Sequence, residues 1–308
     1  MVQKVEENSV SGLHRLPSWF RQELPDMDKI RSMKAMFRKT GLHTVCESAL
    51  CPNMGKCWGA GVATFMILGD ICTRACRFCA VPAGRPMPLD LEEPYHVAKA
   101  VKELNLRYVV VTSVARDDLA DEGAGPFART IREIRTLMPQ TKIEVLIPDF
   151  SNKLESLQTL IQAKPDVVSH NIETVRRLSP DIRPQADYDR SLEVLKNFKR
   201  LDSSVITKSS FMLGLGETGD EIKETMQDLL SAGCDILTIG QYLAPTQQKR
   251  HVRVSRFVRP DEFQSYRELG LTMGFQYVMS GPLVRSSYIA EEGYNECFQK
   301  LNPLQTRQ

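Results

Sequence analysis

From residue 63 onward, short apolar runs rich in β-branched residues alternate with stretches in which apolar positions recur at helical spacing. The first pattern suits strands buried on both faces; the second suits helices that lay one face on a sheet. Candidate strands are 63–69, 107–112, 142–147, 166–170, 205–213 and 235–241. Candidate helices are 94–104, 126–138, 153–163, 189–200, 217–232 and 260–273. Pro94, Pro126 and Pro260 open three of them, at a position where a missing N–H breaks no bond. Six strand–helix units in series imply a parallel sheet with helices outside. Eight units would close a full barrel, whereas six leave an open partial barrel or a doubly wound sheet, and periodicity does not choose between them. Before residue 61 the pattern is weak: Pro17, Pro25 and Pro52 punctuate it, with one short helix expected at 28–38.

Polar residues gather where the candidate strands end: Thr112-Ser113, Pro148-Asp149, His170-Asn171-Ile172-Glu173, Gly214-Leu215-Gly216-Glu217 and Gly240-Gln241-Tyr242. That edge of a parallel sheet is where ligands bind. A simple helix cap explains any one of these clusters, but five together favour a site.

Composition narrows the classes of function. The hydrophobic fraction is 42%, the charged fraction 25% and the formal net charge +2 over 308 residues. This balance gives no electrostatic reason for nucleic acid or an anionic membrane as the main partner. Apolar runs such as 108–111 are strand-sized and fall short of the roughly 18 residues of a spanning helix. The first ten residues carry Glu6 and Glu7 and no apolar stretch, so neither a secretory leader nor a transit peptide is expected, and a cytoplasmic location follows as the default.

Six of the eight cysteines lie within the 34 residues from Cys46 to Cys79. In a cytosolic chain of this size, clustered thiols point to metal ligands or catalytic groups rather than disulfides. Cys72, Cys76 and Cys79, at C-x3-C-x2-C spacing, directly follow the first strand. Three thiolates hold three irons of a 4Fe–4S cube and leave the fourth free to bind a small molecule. The alternatives are a plain electron-transfer cluster and zinc; zinc requires four ligands, and the chain has neither a second C-x2-C element nor an H-x3-5-H element. Upstream, Cys46, Cys51 and Cys57 stand at C-x4-C-x5-C spacing. Pro52 and Gly55 predict a tight loop there rather than a helix, with three thiols aimed at a second centre; inert buried thiols are the alternative. Cys234 and Cys297 are isolated and read as ordinary residues.

The first triplet, with Phe78 before its last cysteine, resembles the signature of the radical S-adenosylmethionine (SAM) superfamily. The two triplets in this order resemble the lipoyl synthases. So do Gly84-Arg85-Pro86, Thr112-Ser113-Val114, Arg116-Asp117-Asp118-Leu119, His170 to Val175, Gly214 to Thr218, Gln241 to Thr246 and Arg285-Ser286-Ser287-Tyr288. The resemblance covers roughly residues 17–290. It implies an α/β fold, a partial (β/α)6 TIM-like barrel over 61–275, with an N-terminal extension, 1–60, that carries the second set of cysteines, and a C-terminal extension, 276–308, that carries the Arg-Ser-Ser-Tyr motif.

The activity implied is that of a sulfurtransferase that inserts sulfur at C6 and C8 of a protein-bound octanoyl-lysine. Two 4Fe–4S clusters and SAM are the implied cofactors. Cys72, Cys76 and Cys79 would hold the cluster that cleaves SAM to a 5′-deoxyadenosyl radical. Cys46, Cys51, Cys57 and Ser287, with Ser286 as the alternative serine, would hold the cluster that gives up sulfur; an ordinary polar turn is the bland reading of the two serines. Phe78, Thr112, Ser113, Asn171, Glu173 and Lys208 are candidates for SAM contact. Each of them is also explained by local backbone hydrogen bonding. His170 is read as a proton donor or a core histidine bonded to backbone, and Arg116, Asp117 and Asp118 as loop organisers or a surface ion pair. Implied partners are an octanoylated lipoyl-carrier domain (glycine cleavage H protein or a 2-oxoacid dehydrogenase E2) and a ferredoxin- or flavodoxin-type reductant. The competing readings are a biotin-synthase-like sulfur inserter and a non-catalytic iron–sulfur carrier.

The chain departs from the family pattern at Ala115, usually Asp, at Glu122, usually Gly, and in the segment after Thr246, which is longer and more basic. Lys249, Arg250, Arg253 and Arg256 there would attract an acidic carrier domain, or simply form a solvated face.

Overall fold

The computed structural model describes residues 16–21, 27–49, 51–59 and 62–303. Residues 1–15, which carry the expectation of no leader, lie outside the described residues. Eight strands form one sheet in chain order. They are β1 (His43–Thr44), β2 (Ala63–Ile67), β3 (Tyr108–Ser113), β4 (Lys142–Leu146), β5 (Val167–Ser169), β6 (Ile206–Leu213), β7 (Ile236–Gln241) and β8 (Tyr277–Gly281). β1 runs antiparallel to β2, and every later pair is parallel. The order never reverses, so the sheet has no switch point of the doubly wound kind. β1 and β8 are not paired among the described residues, which leaves a partial barrel.

The helices are α1 (Met27–Thr40), α2 (Val45–Ser48), α3 (Met54–Gly59), α4 (Glu93–Glu103), α5 (Ala124–Leu137), α6 (Leu154–Gln162), α7 (Ser179–Ile182), α8 (Tyr188–Leu201), α9 (Gly219–Ser231), α10 (Pro260–Met273) and α11 (Ala290–Leu301). Apart from α11, which was not expected, the long helices start and stop within two residues of the expected bounds. Their ends carry recognisable caps: Asp187 accepts from Arg190 N, and Thr218 with Glu221 forms a capping box on α9.

Three features differ from expectation. The cysteine segment upstream of β2 is not a loop throughout: Cys46 sits on α2 and Cys57 on α3, with Cys51 between them. Helices of four and six residues show no readable periodicity, and Thr44 capping Glu47 N starts the first of them. β8 adds a seventh parallel strand inside the segment expected to be a C-terminal extension. That extension also contains α11.

Side chains alternate along each strand. Val109, Val111, Ile143, Val145 and Val168 face the outer helices, packing with α1, α4, α5 and α6. Tyr108, Val110, Val167, Ile206, Ile236 and Tyr277 point inward and meet Ala290, Tyr294 and Cys297 of α11. One cluster drawn from β3 through β8 requires a curved sheet. Five of these six residues are the first of their strands, so α11 plugs the N-terminal mouth of the barrel. Tyr108 and Tyr294 lie 5.9 Å apart, centroid to centroid, in that plug. Among the described residues that mouth is filled, which leaves the opposite, C-terminal edge as the place for ligands.

Candidate metal centres

The first cysteine triplet lies on that edge. Gly69 ends the turn out of β2 with φ +90°, a conformation that favours glycine, and the cysteine segment follows. Backbone bonds hold it: Cys72 N to Pro82 O (2.9 Å), Gly84 N to Cys72 O (2.9 Å), Thr73 N to Ala115 O (3.1 Å) and Arg77 N to Ile182 O (2.9 Å). Cys72 Sγ accepts N–H groups from Arg74 at 3.4 Å and Ala115 at 3.3 Å. Ala115, where the family usually has Asp, therefore serves through its backbone, and the departure leaves the segment intact. Cys72, Cys76 and Cys79 lie within electrostatic reach of one another. Burial, reinforced by the neighbouring thiols, pushes Cys76 up to about 12 and Cys79 to about 11. Ligation must displace a proton from each.

Arg74, between the first two cysteines, anchors the segment to the barrel. It donates to Asp117 and, from NH2, to Asp149 Oδ1 at 2.6 Å. Thr73 and Gln185 add bonds to Asp117 and to the segment's backbone. Asp117 is thus a loop organiser, as is Arg116, which holds Asp118 at 2.9 Å and reaches the Leu68 carbonyl. Phe78 packs with Ile182, Leu215 and Tyr242.

The proposed SAM residues separate into two groups. Asn171 Nδ2 donates to Glu173 Oε1 at 3.0 Å, and Glu173 lies within electrostatic reach of Cys76 and Cys79. Burial raises the Glu173 carboxyl despite the Arg183 charge. The buried Oδ1 of Asn171 and Oγ of Ser113 have no partner among the described residues, so polar donors and acceptors stand ready for a ligand at this edge. Thr112 spends its hydroxyl on the Leu146 carbonyl. Lys208 is committed deeper in the barrel: Nζ lies 2.9 and 3.1 Å from the two Glu144 oxygens, and Tyr108 OH donates to the same carboxylate at 2.7 Å. His170 Nδ1 pairs with the Ile147 carbonyl at 2.9 Å, the core arrangement rather than that of a free proton donor.

The second triplet is drawn together by the chain's far end. Cys46, Cys51 and Cys57 are within electrostatic reach of one another. Burial pushes Cys46 up to about 12 and Cys57 to about 11. Residues 283–289 close over them: Asn53 Nδ2 donates to Leu283 O at 2.6 Å, and Lys56 Nζ to Tyr288 OH at 2.8 Å. The Ile289 N–H is directed at the Cys57 sulfur. Ser286 and Ser287 belong to this segment, between Leu283 and Tyr288. Arg285 donates to the Gln241 carbonyl at 3.3 Å and the Val284 carbonyl at 2.7 Å, and its charge acts on Cys51. Gly240 permits this approach, since a Cβ there would meet Val284 O at 2.1 Å.

Sequence reasoning did not single out Arg183, a buried cation acting on Cys76 and Glu173 with its NH1 on the Ile172 carbonyl, or the anchoring role of Arg74. Among the described residues no three His, Cys, Asp or Glu side chains converge where one ion would sit. Each triplet offers three soft sulfurs, with amide N–H groups on sulfur and cations nearby to offset negative charge, and that chemistry suits a cube held at three of its corners.

The description of the radical SAM superfamily matches residues 66–229. The chain is 56% identical over 281 residues to a lipoyl synthase of Rubrobacter xylanophilus, covering 91% of this chain and 87% of that one. It is 52% identical over 279 residues to a lipoyl synthase of Caldanaerobacter subterraneus subsp. tengcongensis, covering 91% and 97%. Against one of Geobacillus thermodenitrificans it is 53% identical over 283 residues, covering 92% and 94%. Among solved structures, HydG, a maturase of the FeFe-hydrogenase, superposes with a TM-score of 0.56 at 14% identity over 70% of this chain and 50% of that one. Streptococcus suis SuiB bound to S-adenosylmethionine gives 0.53 at 11% identity, over 80% and 58%. At such identities these two bear on the fold alone.

Proposed function

Because the chain belongs to the lipoyl synthase family of the radical SAM superfamily, we propose that its two cysteine triplets divide the work of that enzyme between them. Cys72, Cys76 and Cys79 hold the cluster that works with SAM. Cys46, Cys51 and Cys57, with Ser287, hold the second. One observation carries this reading: residues 283–289 are pinned on the first-coming triplet from more than two hundred positions away in sequence. A polar turn with no role would have no reason to be held there.

When bound, the first cluster with SAM supplies hydrogen abstraction at the octanoyl chain and the second supplies the sulfur for C6 and C8. The residues of the chain do the rest. Asn171, Glu173 and Ser113 offer polar atoms to SAM at the strand ends, with Thr112 in the same layer, and Phe78 closes the apolar side. Lys208 is left out, its ammonium being spent on Glu144. Ser287 would offer an oxygen in place of a thiolate, a ligand less suited to iron–sulfur chemistry than the three sulfurs. Arg285 offsets negative charge on the sulfurs. The α11 plug closes the barrel beneath, so an acyl chain enters from the C-terminal edge, where the first triplet follows β2 and residues 283–289 follow β8.

The family acts on lipoyl-carrier domains. We assign to this chain an octanoylated glycine cleavage H protein or 2-oxoacid dehydrogenase E2 domain as substrate, and a ferredoxin- or flavodoxin-type reductant. No helix among the described residues is long and apolar enough to cross a membrane. Eight free cysteines suit a reducing compartment, and we assign the cytoplasm.

The test is anaerobic. The parent should carry about eight irons and the Cys46→Ala variant about four. Reduced protein given an octanoyl-lysyl peptide should yield 5′-deoxyadenosine and a thiolated product. Ser287→Ala should still release 5′-deoxyadenosine but insert no sulfur, whereas Ser286→Ala should do both. Absence of 5′-deoxyadenosine in the parent removes the radical reading; nucleoside without thiolated peptide leaves the substrate wrong.

A further inference from the structure

The segment after β7 forms a strap over the first cysteine triplet. His251, 4% exposed, donates from Nε2 to the Cys79 carbonyl at 3.0 Å, and its Nδ1 lies 2.7 Å from Thr246 Oγ1. Val252 N donates to Arg77 O at 3.1 Å, and Tyr242 OH to Val252 O at 2.7 Å. Val252 and Val254 pack on the Ile182, Leu215 and Tyr242 cluster that also takes Phe78. The strap is therefore part of the wall of that centre, and its outer face is the surface above it.

That face is strongly basic in a chain whose net charge is only +2. Residues 247–259 contain Lys249, Arg250, Arg253, Arg256 and Arg259 and no acid. Arg256 and Arg259 are paired with Glu262 and Asp261 of α10. Arg250 turns back to the Ala80 carbonyl, and its charge reaches Cys79. Lys249 and Arg253 are exposed and have no acidic partner among the described residues. Among the described residues nothing pairs with these two charges.

We propose that this strap is the docking surface for an acidic one-electron carrier protein, which reduces the first cluster by one electron and is itself oxidised by one; the proposal rests on the assignment of that cluster to Cys72, Cys76 and Cys79. Electron tunnelling falls steeply with distance, so a donor must dock on the surface nearest its acceptor. The acyl substrate is under no such constraint, since it reaches inward on a long lysyl arm and its carrier can dock farther away. Unpaired surface cations steer an acidic partner and set its on-rate and salt dependence.

The holoprotein carrying Lys249→Glu with Arg253→Glu tests this, with an acidic flavodoxin as probe. Flavin fluorescence gives its affinity, and bleaching of the cluster absorbance gives the electron-transfer rate. At low salt the variant should bind flavodoxin at least about tenfold more weakly and bleach more slowly by a similar factor. Raising the salt should narrow the gap. Bleaching by dithionite, and dithionite-driven turnover of an octanoyl-lysyl peptide, should equal the parent's. The neutral pair Lys249→Gln with Arg253→Gln should fall between. Unchanged flavodoxin affinity in both variants overturns the proposal. So does a loss confined to dithionite-driven turnover of the intact octanoylated carrier domain, which would make the strap the carrier's surface. So does a variant slow with dithionite and peptide alike, which would make the strap a structural element only. A parent that bleaches but cleaves no SAM would instead sink the functional assignment, leaving the affinity measurement to decide the docking surface on its own.

Discussion

Arg74 NH2 lies 2.6 Å from Asp149 Oδ1, with Arg74 8% exposed and Asp149 fully buried. The other Asp149 oxygen takes Arg190 Nε of α8 at 2.8 Å, and Arg74 donates to Asp117 from Nε and from the same Nη2. Two cations and two carboxylates thus tie the segment between Cys72 and Cys76 to the end of β4, to the loop after β3 and to an outer helix. Burial by itself would raise the Asp149 carboxyl; the hydrogen bond and charge of Arg74, with help from Arg190, hold it well below the usual carboxylate range.

Asp149→Asn should therefore be costly in two ways. It leaves two arginines facing a neutral amide, and breaking a buried pair costs about 3–5 kcal/mol. It also frees the cysteine segment, so iron should be lost from the first centre before the second. Urea unfolding and iron counting, with Cys46→Ala as the background, check both. The sign of the pH effect follows from the lowered carboxyl. Its stabilisation is fully present above the unfolded value of about 3.9 and is lost as pH falls below that toward the folded value. Asp149→Asn should lose that acid-limb dependence. A variant as stable as the parent, with both centres filled, would refute the anchoring role.

Lys208, Glu144 and Tyr108 form a polar island inside the barrel, above the α11 plug. Lys208→Met should destabilise by about 3–5 kcal/mol, because Glu144 is left buried and unpaired. Replacing all three, with Lys208→Met, Glu144→Leu and Tyr108→Phe, should recover most of that loss, since apolar groups of similar size leave no orphaned charge. Equilibrium SAM binding to the triple variant should match the parent. A clear drop in SAM affinity there would put Lys208 back among the ligand contacts.

The strands β2 to β7 were legible because most of their residues are buried and each carries apolar or β-branched residues, as in Val109 to Val111 or Ile236 to Ile239. The cysteine spacings were legible because a cluster motif is local. β8 was not, because Tyr277–Gly281 is an edge strand whose last three residues are only half-buried and two of them small. The stripe Ala290, Tyr294, Cys297 and Phe298 of α11 does stand at helical spacing, and is the signal that reveals a plug. The site's cations were hidden for another reason. Arg74 meets partners 43 and 75 positions away, and Arg285 meets Gln241 44 positions away. Such pairings are set by how the barrel closes, which no local pattern encodes.

Glu122 shows the cost of one departure from the family pattern. Its φ is +53°, a left-handed conformation that suits the usual glycine. A side chain there costs roughly 1–2 kcal/mol. Glu122 offsets this in part through Lys153 at 2.9 Å, while its second oxygen is buried without a partner. An ion pair to a half-exposed lysine contributes at most about 1 kcal/mol. Glu122→Gly should therefore stay within about 1 kcal/mol of the parent, and Glu122→Ala should be less stable than Glu122→Gly, keeping the strain and losing the pair. Thermal unfolding decides the order; Ala above Gly would show that strain at this position is negligible.

His170 sets the stability at mildly acid pH. Burial, reinforced by the Arg183 charge, lowers it to about 4, against an unfolded value near 6.5. The folded ring is therefore neutral at pH 7, with Nδ1–H donated to the Ile147 carbonyl and Nε2 bare. As pH falls below about 6.5 the unfolded chain takes up a proton that the folded chain refuses until about 4, so stability drops across that window. The full effect amounts to roughly 3 kcal/mol, at about 1.36 kcal/mol per pH unit of separation. His170→Asn keeps a donor for Ile147 and cannot titrate. It should be less stable than the parent at pH 7 because the ring's volume is lost, yet its unfolding midpoint should stay nearly flat over the upper part of the window while the parent's declines. Parallel declines in the two proteins would mean that some other group drives the acid response and that His170 is protonated in the fold.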